Sequence, residues 1–287
     1  MKNKERLIDM QSRYAVNGRL YRERLRKLLP SIMFSNLSIL IILTIDSIIV
    51  GNFVQDKSSL GAMSVVSVII MMFNTIAPFS AGGIIFRLSE QNATNDMVNV
   101  RRSLKAAAVL AVVIAGIICI AGYPITHLCI DNLCYTEELR AAAWQYTVGM
   151  MIAYPFSVIT TAGTMVLLSE GKTTWVMLLT VLEGVTNLVM DLVLTAIVGM
   201  GVAGAGYGTM IASIVKFIAA MPILYIYLKK QGKLGWEKSV DLQEIKIQLS
   251  YAVPTVVAGA VTSVQYFVMI RLIGDNLQVD GLFSTAL

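Results

Sequence analysis

Residues 186–213 read TNLVMDLVLTAIVGMGVAGAGYGTMIAS, and this stretch decides the fold. An apolar run that carries one acid, Asp191, ends in a glycine-rich turn, and a second apolar run of small residues follows at once. The letters GMGVAG at 199–204 formally match GxGxxG. A dinucleotide-binding loop requires a strand before that motif and a helix after it, whereas here the motif joins two apolar runs. The pattern therefore predicts two membrane helices joined by a tight turn.

The rest of the chain repeats this alternation of long apolar runs and short polar segments. Its 287 residues are 56% hydrophobic and only 14% charged, whereas soluble domains carry about 25% charged residues. A helix needs about 20 apolar residues to cross a bilayer. The composition excludes a disordered chain, argues against a soluble enzyme, and predicts an all-α polytopic membrane protein. The predicted spans are 30–53, 60–86, 104–130, 141–168, 174–199, 201–228 and 251–273.

The basic residues lie between these spans, so the net charge of +5 does not indicate nucleic-acid binding. Nineteen of the 23 lysines and arginines fall in segments on one side of the membrane, and only Lys57 and Arg140 fall on the other. Cytoplasmic loops carry the excess of positive charge. The N-terminus is therefore predicted to be cytoplasmic. Lys216 and Arg271 remain inside spans, and we expect Lys216 to reach toward the cytoplasmic surface.

A weak internal repeat suggests a second, related half. Residues 28–52 and 252–276 each follow a basic amphipathic stretch, and Pro30 aligns with Pro254 as Gly51 does with Gly274. Many transporters consist of two repeated bundles. We therefore expect most of a second bundle to be missing, so that the chain alone does not transport. Whether Leu287 is the natural end stays open. The predicted parts are a basic cytoplasmic segment 1–29, a six-helix bundle 30–228, an amphipathic cytoplasmic linker 229–250, and the start of a second bundle, 251–287.

Three carboxylates fall inside predicted spans, where an ionisable residue costs about 2.5–3.5 kcal/mol and indicates function. Asp46 and Asp191 each lie about 10–12 Å from the outer ends of their spans, at a rise of about 1.5 Å per residue. Thr209 reaches the same layer, and Tyr146 lies slightly nearer the outer surface. Glu183 lies about two turns deeper than Asp191.

Glu183, Asn187 and Asp191 also recur at intervals of four residues, which places them on one face of a helix. Such a polar stripe should face other helices or a polar cavity that Glu183 could line. We interpret Asp46 and Asp191 as a site for a proton or for sodium, a hard cation that prefers oxygen ligands. The sequence does not distinguish between the two ions. The alternative is that these groups hold helices together, although two acids at one depth are a costly way to do so.

Three stretches resemble the MATE (multidrug and toxic compound extrusion) family, in its bacterial multidrug branch. They are TIDSIIVGNFV at Thr44–Val54, LLSEGKTTWVML at Leu167–Leu178, and the opening stretch Thr186–Ser213. The resemblance implies a multi-pass antiporter of the bacterial inner membrane that exchanges protons or sodium for amphipathic, cationic compounds. It also implies twelve helices in two six-helix bundles around a cleft. The family's cation-coupling site carries over onto Asp46, Tyr146, Asn187, Asp191 and Thr209.

Some positions depart from the family pattern. The loop RLSEQNATND after the second span lacks the usual glycine-acid turn, Leu168 stands where many members have arginine, and Thr164 stands where some have asparagine. These departures leave the coupling ion and the substrate open.

Three other functions compete with drug export. A lipid-linked oligosaccharide flippase of a related branch would line its cavity with basic residues, whereas here the intramembrane acids outnumber Lys216 and Arg271 and favour cationic substrates. A membrane enzyme is disfavoured because we expect His127 to have no partner and because the three cysteines lack zinc spacing. An inactive fragment or structural bundle stays open. We expect the lipid bilayer as partner, no cofactor, no metal beyond sodium and no obligate protein partner; the oligomeric state is open.

Overall fold

A computed structural model describes residues 26, 33, 37, 44, 46–54, 57–93, 96–235 and 240–286, with the backbone alone for Lys57, for Ala93 and for residues 276–286. Every regular element among these residues is helical, which confirms the predicted all-α class. The elements are α1 (46–53), α2 (Lys57–Ile76), α3 (Pro78–Ala81), α4 (Ile84–Ala93), α5 (Met97–Leu133), α6 (Glu137–Ser169), α7 (Thr173–Asp191) with a π-helical continuation (Leu192–Ile197), α8 (Val202–Lys230) and α9 (Leu242–Ala286).

Six stretches of the described residues are long and apolar enough to cross a membrane. They follow the order of predicted spans two to seven, so the number and order of these spans are confirmed. Most of the first predicted span, 30–53, lies outside the described residues, but 46–53 are helical. The six stretches are Ser58–Asn92, Met97–Leu133, Glu137–Ser169, Thr173–Ile197, Val202–Lys230 and Leu242–Asp275.

The second predicted span is broken rather than continuous. Pro78 is the first residue of α3, where its missing N–H interrupts the helical hydrogen bonds. A Cβ added to Gly83, in the turn before α4, would overlap the backbone of Gln248. The break therefore lets α9 approach the backbone of this span closely. Pro155 and Pro222, in contrast, lie within the unbroken helices α6 and α8.

Helices α6 and α8 cross with their backbones almost in contact. A Cβ on Gly206 would overlap the carbonyl oxygen of Tyr146, and a Cβ on Gly149 would overlap the backbone of Gly206. Small residues permit such approach between membrane helices, which associate through packing rather than through the hydrophobic effect. This crossing fixes the position of Tyr146 relative to α8.

Helix α9 is tied to the bundle by one buried carboxylate. Glu244 accepts hydrogen bonds from Arg87 Nε at 3.0 Å, from Arg87 Nη2 at 2.7 Å and from Ser103 Oγ at 2.7 Å. The bidentate arginine contact is among the stronger kinds of ion pair. Residues 242–250 of the predicted linker form the start of α9 and continue without a break into the seventh span. Through Glu244 they contact Arg87 of α4 and Ser103 of α5.

Candidate functional site

Asp46, on α1, is only 1% exposed although it carries an ionisable group. Its Oδ2 accepts a hydrogen bond from the hydroxyl of Tyr146 at 3.4 Å. Its carboxyl group also lies close to the side chains of Asp191 and Thr209. Three helices beside α1, namely α6, α7 and α8, therefore present polar groups to this one carboxylate.

Asp191, the last residue of α7, is fully buried and lies next to Asp46. The Nδ2 group of Asn187 donates to Asp191 Oδ2 at 3.1 Å and to Thr209 Oγ1 at 3.2 Å. The structure thus brings together all five residues that the family resemblance designates. We call Asp46, Tyr146, Asn187, Asp191 and Thr209 the carboxylate cluster, and its role in cation coupling stays a prediction.

One glycine of α8 makes room for Asp191, and a second makes room for the turn that follows it. A Cβ on Gly208 would collide with Asp191 Oδ1, and a Cβ on Gly204 would lie 2.7 Å from the backbone nitrogen of Thr195. The backbone widens into a π-helical turn directly after Asp191, a feature often found at functional sites. The signal for both glycines in the sequence is the run of small residues GAGYG at 204–208.

Three oxygens of the carboxylate cluster are buried and have no hydrogen-bond partner among the described residues. They are Oδ1 of Asp46, Oδ1 of Asn187 and Oδ1 of Asp191. Buried polar atoms without a partner carry a desolvation penalty that a bound proton or cation would relieve. Carboxylate and amide oxygens are ligands that hard cations prefer. The residues present therefore fit a proton or sodium, whereas no group of three or more His, Cys, Asp or Glu in the described ranges could hold a metal.

Glu183 does not join the carboxylate cluster. Its Oε2 lies 2.6 Å from Nζ of Lys216 on α8, and the two side chains are 21% and 17% exposed. We expected Lys216 to reach toward the cytoplasmic surface, but its ammonium group instead contacts this acid. The polar stripe on α7 thus divides into a neutralised ion pair and an acidic site.

We predict that Glu183→Gln destabilises the protein, because it leaves the charge of Lys216 without a counter-ion in the membrane. The loss should be on the order of 2–3 kcal/mol. Lys216→Met should cost less because Glu183 can then bind a proton, and the double variant should recover most of the stability. Thermal unfolding of the three purified variants in detergent measures this. A double variant as unstable as Glu183→Gln would contradict the pairing.

Two other charged residues also have partners. Arg271 Nη1 donates to the carbonyl oxygen of Asn132 at 2.6 Å, and Arg271 Nε lies 3.3 Å from Asp275 Oδ2. His127, which we expected to lack a partner, places Nδ1 2.6 Å from Asp131 Oδ2 one turn along α5. This pair is about half exposed and lies at the end of the helix, so it belongs to the surface rather than to a cavity.

Comparisons with known proteins give one family. The sequence profile of the MatE family matches residues 31–193, more than half of the chain. Among curated proteins no match is found.

Solved structures share the fold. An outward-facing multidrug resistance MATE family transporter of the MOP superfamily superposes with a TM-score of 0.76 at 19% identity, covering 90% of this chain and 57% of that one. A MATE structure in the bent conformation gives 0.74 at 20% identity, with 83% and 53% covered. A MOP superfamily transporter from Pyrococcus furiosus, described as having a binding pocket of reverse polarity, gives 0.74 at 18% identity, with 83% and 52% covered.

The chain spans about half the length of the solved structures it matches. These likenesses show the fold and leave the activity of the whole protein to be argued from its residues. The profile match covers the segment from the first predicted span to the end of α7, and it includes Asp46 and Asp191. The chain belongs to the MATE family of membrane transporters.

Proposed function

We propose that this chain forms the N-terminal part of a cation-coupled antiporter that exports amphipathic, cationic compounds by alternating access. The observation that carries the proposal is the pair of adjacent buried carboxylates, Asp46 and Asp191, each with one unpartnered oxygen. A packing role alone would satisfy these oxygens with donors. A site that repeatedly gains and loses a cation requires oxygens that the protein does not permanently occupy.

The coupling follows from the charge of the carboxylate cluster. Two adjacent carboxylates held away from water are unfavourable unless a cation neutralises them. A proton or sodium ion would be held by the carboxylates of Asp46 and Asp191, and Asn187, which also contacts Thr209, would orient the second carboxylate. A cationic substrate would be favoured only in the state that lacks this ion. Mutual exclusion of this kind couples the downhill movement of the ion to the uphill movement of the substrate.

The placement in the membrane is part of the proposal. The distribution of lysine and arginine supports a cytoplasmic N-terminus in a bacterial inner membrane. The segment 30–228 would be the first bundle, and 251–287 would begin a second bundle that faces it across the cleft. The lipid bilayer is then the main partner, and neither a cofactor nor a protein partner is required.

The flippase alternative receives less support. A cavity that grips pyrophosphate needs basic groups whose charge is available to the substrate. Lys216 is neutralised by Glu183, and Arg271 contacts Asp275 and a backbone carbonyl. The net charge near the carboxylate cluster is therefore negative, which favours cationic substrates.

The test is gradient-driven transport by the protein expressed from its complete reading frame in inside-out membrane vesicles. A fluorescent lipophilic cation would be followed under an imposed proton gradient and, separately, under a sodium gradient. We expect uptake under one of the two gradients and its collapse on addition of the matching ionophore. Folded protein that moves no dye under either gradient would overturn the proposal. Vesicles without the protein provide the control.

A further inference from the structure

An apolar groove lies between α5, α6 and α8. Its first residue on α8, Met221, is about 18 Å along the helix from Thr209 of the carboxylate cluster. Its volume is about 610 Å³. Its walls are almost entirely apolar, and three basic side chains, Arg101, Lys105 and Lys233, lie at one end. Among its apolar wall residues are Ala108, Val112, Gly163, Met221 and Leu224.

The groove follows one face of α5. Arg101, Lys105, Ala108 and Val112 are spaced by four, three and four residues, which places them above one another on a helix. They extend over about 17 Å at a rise of about 1.5 Å per residue. One leaflet of the hydrocarbon core is about 15 Å thick, half of about 30 Å. The groove therefore has the length of one lipid leaflet.

The same face of α5 points away from α9. Ser103, two residues after Arg101, lies on the opposite side of the helix, where its hydroxyl contacts Glu244 of α9. Of the described helices, α5, α6 and α8 form the groove, and α9 does not line it. A second bundle that begins with α9 would thus lie on the other side of α5, which leaves the groove to the lipid.

Small residues form two parts of the groove wall. A Cβ on Gly163 would lie 3.0 Å from Met221 Cε and 3.2 Å from Leu224 Cδ2, so this glycine lets side chains of α8 pack closely against α6. Ala108 on α5 is exposed. A larger side chain at Ala108 would fill space that an acyl chain could occupy.

At the basic end, Arg101 is the group whose charge no carboxylate of the described residues neutralises. Lys233 also lines this end, but Glu170 neutralises it through contacts of 2.7 and 2.5 Å. Arg101 donates one hydrogen bond, from Nη2 to the carbonyl oxygen of Gly232 at 2.8 Å, and its buried Nε has no partner among the described residues. Both Arg101 and Lys105 lie in the first turns of α5, which the proposed orientation places at the cytoplasmic surface.

From these features we infer that the groove is a binding site for an anionic phospholipid of the cytoplasmic leaflet. One acyl chain lies along α5 between α6 and α8, and the lipid phosphate contacts Arg101. Basic pockets between membrane helices on this side bind anionic headgroups. The positive charge at the basic end of the groove disfavours a cationic transport substrate there. The groove is therefore a separate site from the carboxylate cluster.

The test is native mass spectrometry of the detergent-purified protein titrated with dioleoyl phosphatidylglycerol or dioleoyl phosphatidylcholine. The two lipids have the same chains and differ in net charge. We expect phosphatidylglycerol adducts at lower lipid concentration, with affinity falling about fivefold for Arg101→Gln. Ala108→Trp should weaken both lipids, because it fills the groove. Oleate and inorganic phosphate, added in separate arms, should each bind more weakly than the whole lipid.

Arg102→Gln is the matched control, because it removes the same charge one residue away. Arg102 is 46% exposed, lies 4.0 Å from Asp241 and does not line the groove. Equal binding of the two lipids would overturn the inference, as would a loss in Arg102→Gln as large as that in Arg101→Gln. Unchanged binding to Ala108→Trp would place the lipid elsewhere. Thermal unfolding of each variant separates loss of the site from loss of the fold.

Discussion

Asp46→Asn is expected to abolish gradient-driven export while leaving the protein folded. The amide has nearly the shape of the carboxyl group and can still accept the hydrogen bond from Tyr146, so the packing around α1 should persist. It cannot exchange a proton and it carries no charge for sodium. Binding of the ion would then no longer change the equilibrium between the two states of alternating access. Export should fall on the order of 100-fold, the upper range of coupling between two sites.

The same substitution at Asp191 should have an effect of similar size, because the two carboxylates share one site. The double variant Asp46→Asn, Asp191→Asn should be no worse than either single one, since groups that act as a unit are not additive. The measurement is initial dye efflux per folded protein, with expression checked by size-exclusion chromatography.

Asp131→Asn is the matched control for these variants. Asp131 is 42% exposed and pairs with His127 at the end of α5. The same change of charge there should leave export unchanged. Export at the wild-type rate by well-expressed Asp46→Asn would contradict the coupling role of the carboxylate cluster.

The sequence predicted the spans well because hydrophobicity alone determines which segments enter a membrane. It predicted span two as one helix, but the structure divides it at Pro78 and at Gly83. Hydropathy does not register that break, since both sides are apolar. One cause is local, because Pro78 lacks the N–H that would continue the helix. The other is tertiary, because the backbone of Gln248 occupies the place of a side chain at Gly83.

The sequence could predict part of the carboxylate cluster from the depth of its residues in the membrane. Asp46 and Asp191 share a distance from the outer surface, and the structure places them side by side. The partner of Glu183 could not be found that way. Depth along a helix says nothing about rotation around it, and the rotation of α8 toward α7 determines that Lys216 meets Glu183.

The sequence also did not show which glycines are required for the close packing around the carboxylate cluster. Thr186–Ser213 contains five glycines, and they differ in role only through their neighbours. Gly199 and Gly201 have positive φ angles of 77° and 62° and form the turn. Gly206 and Gly208 are helical and leave room for other backbone and side-chain atoms.

Gly206→Ala is therefore expected to destabilise the protein by about 1–3 kcal/mol, the usual cost of overpacking. The added methyl group would meet the carbonyl oxygen of Tyr146, a backbone atom that cannot rotate away. Relief requires α6 and α8 to separate. Because Tyr146 contacts Asp46 from the same turn of α6, that separation should also weaken export by the folded fraction. Thermal unfolding can be followed with a thiol-reactive dye in a Cys119→Ala background, since Cys119 is exposed whereas Cys129 and Cys134 are free and buried in the folded protein.

Gly116→Ala serves as the comparison, because it is not expected to lower the unfolding temperature. Gly116 lies within α5, and a Cβ there would meet nothing within 4 Å. Alanine is the better helix former by about 1 kcal/mol, so this variant should unfold at the same temperature as wild type or above it. If the backbones of α6 and α8 cross closely, Gly206→Ala should unfold at a lower temperature than Gly116→Ala. At Gly206 the clash outweighs the gain in helix propensity that alanine brings. If Gly206→Ala unfolds at or above the wild-type temperature, the crossing of α6 and α8 is looser than described, and Tyr146 is not held against Asp46 by this contact.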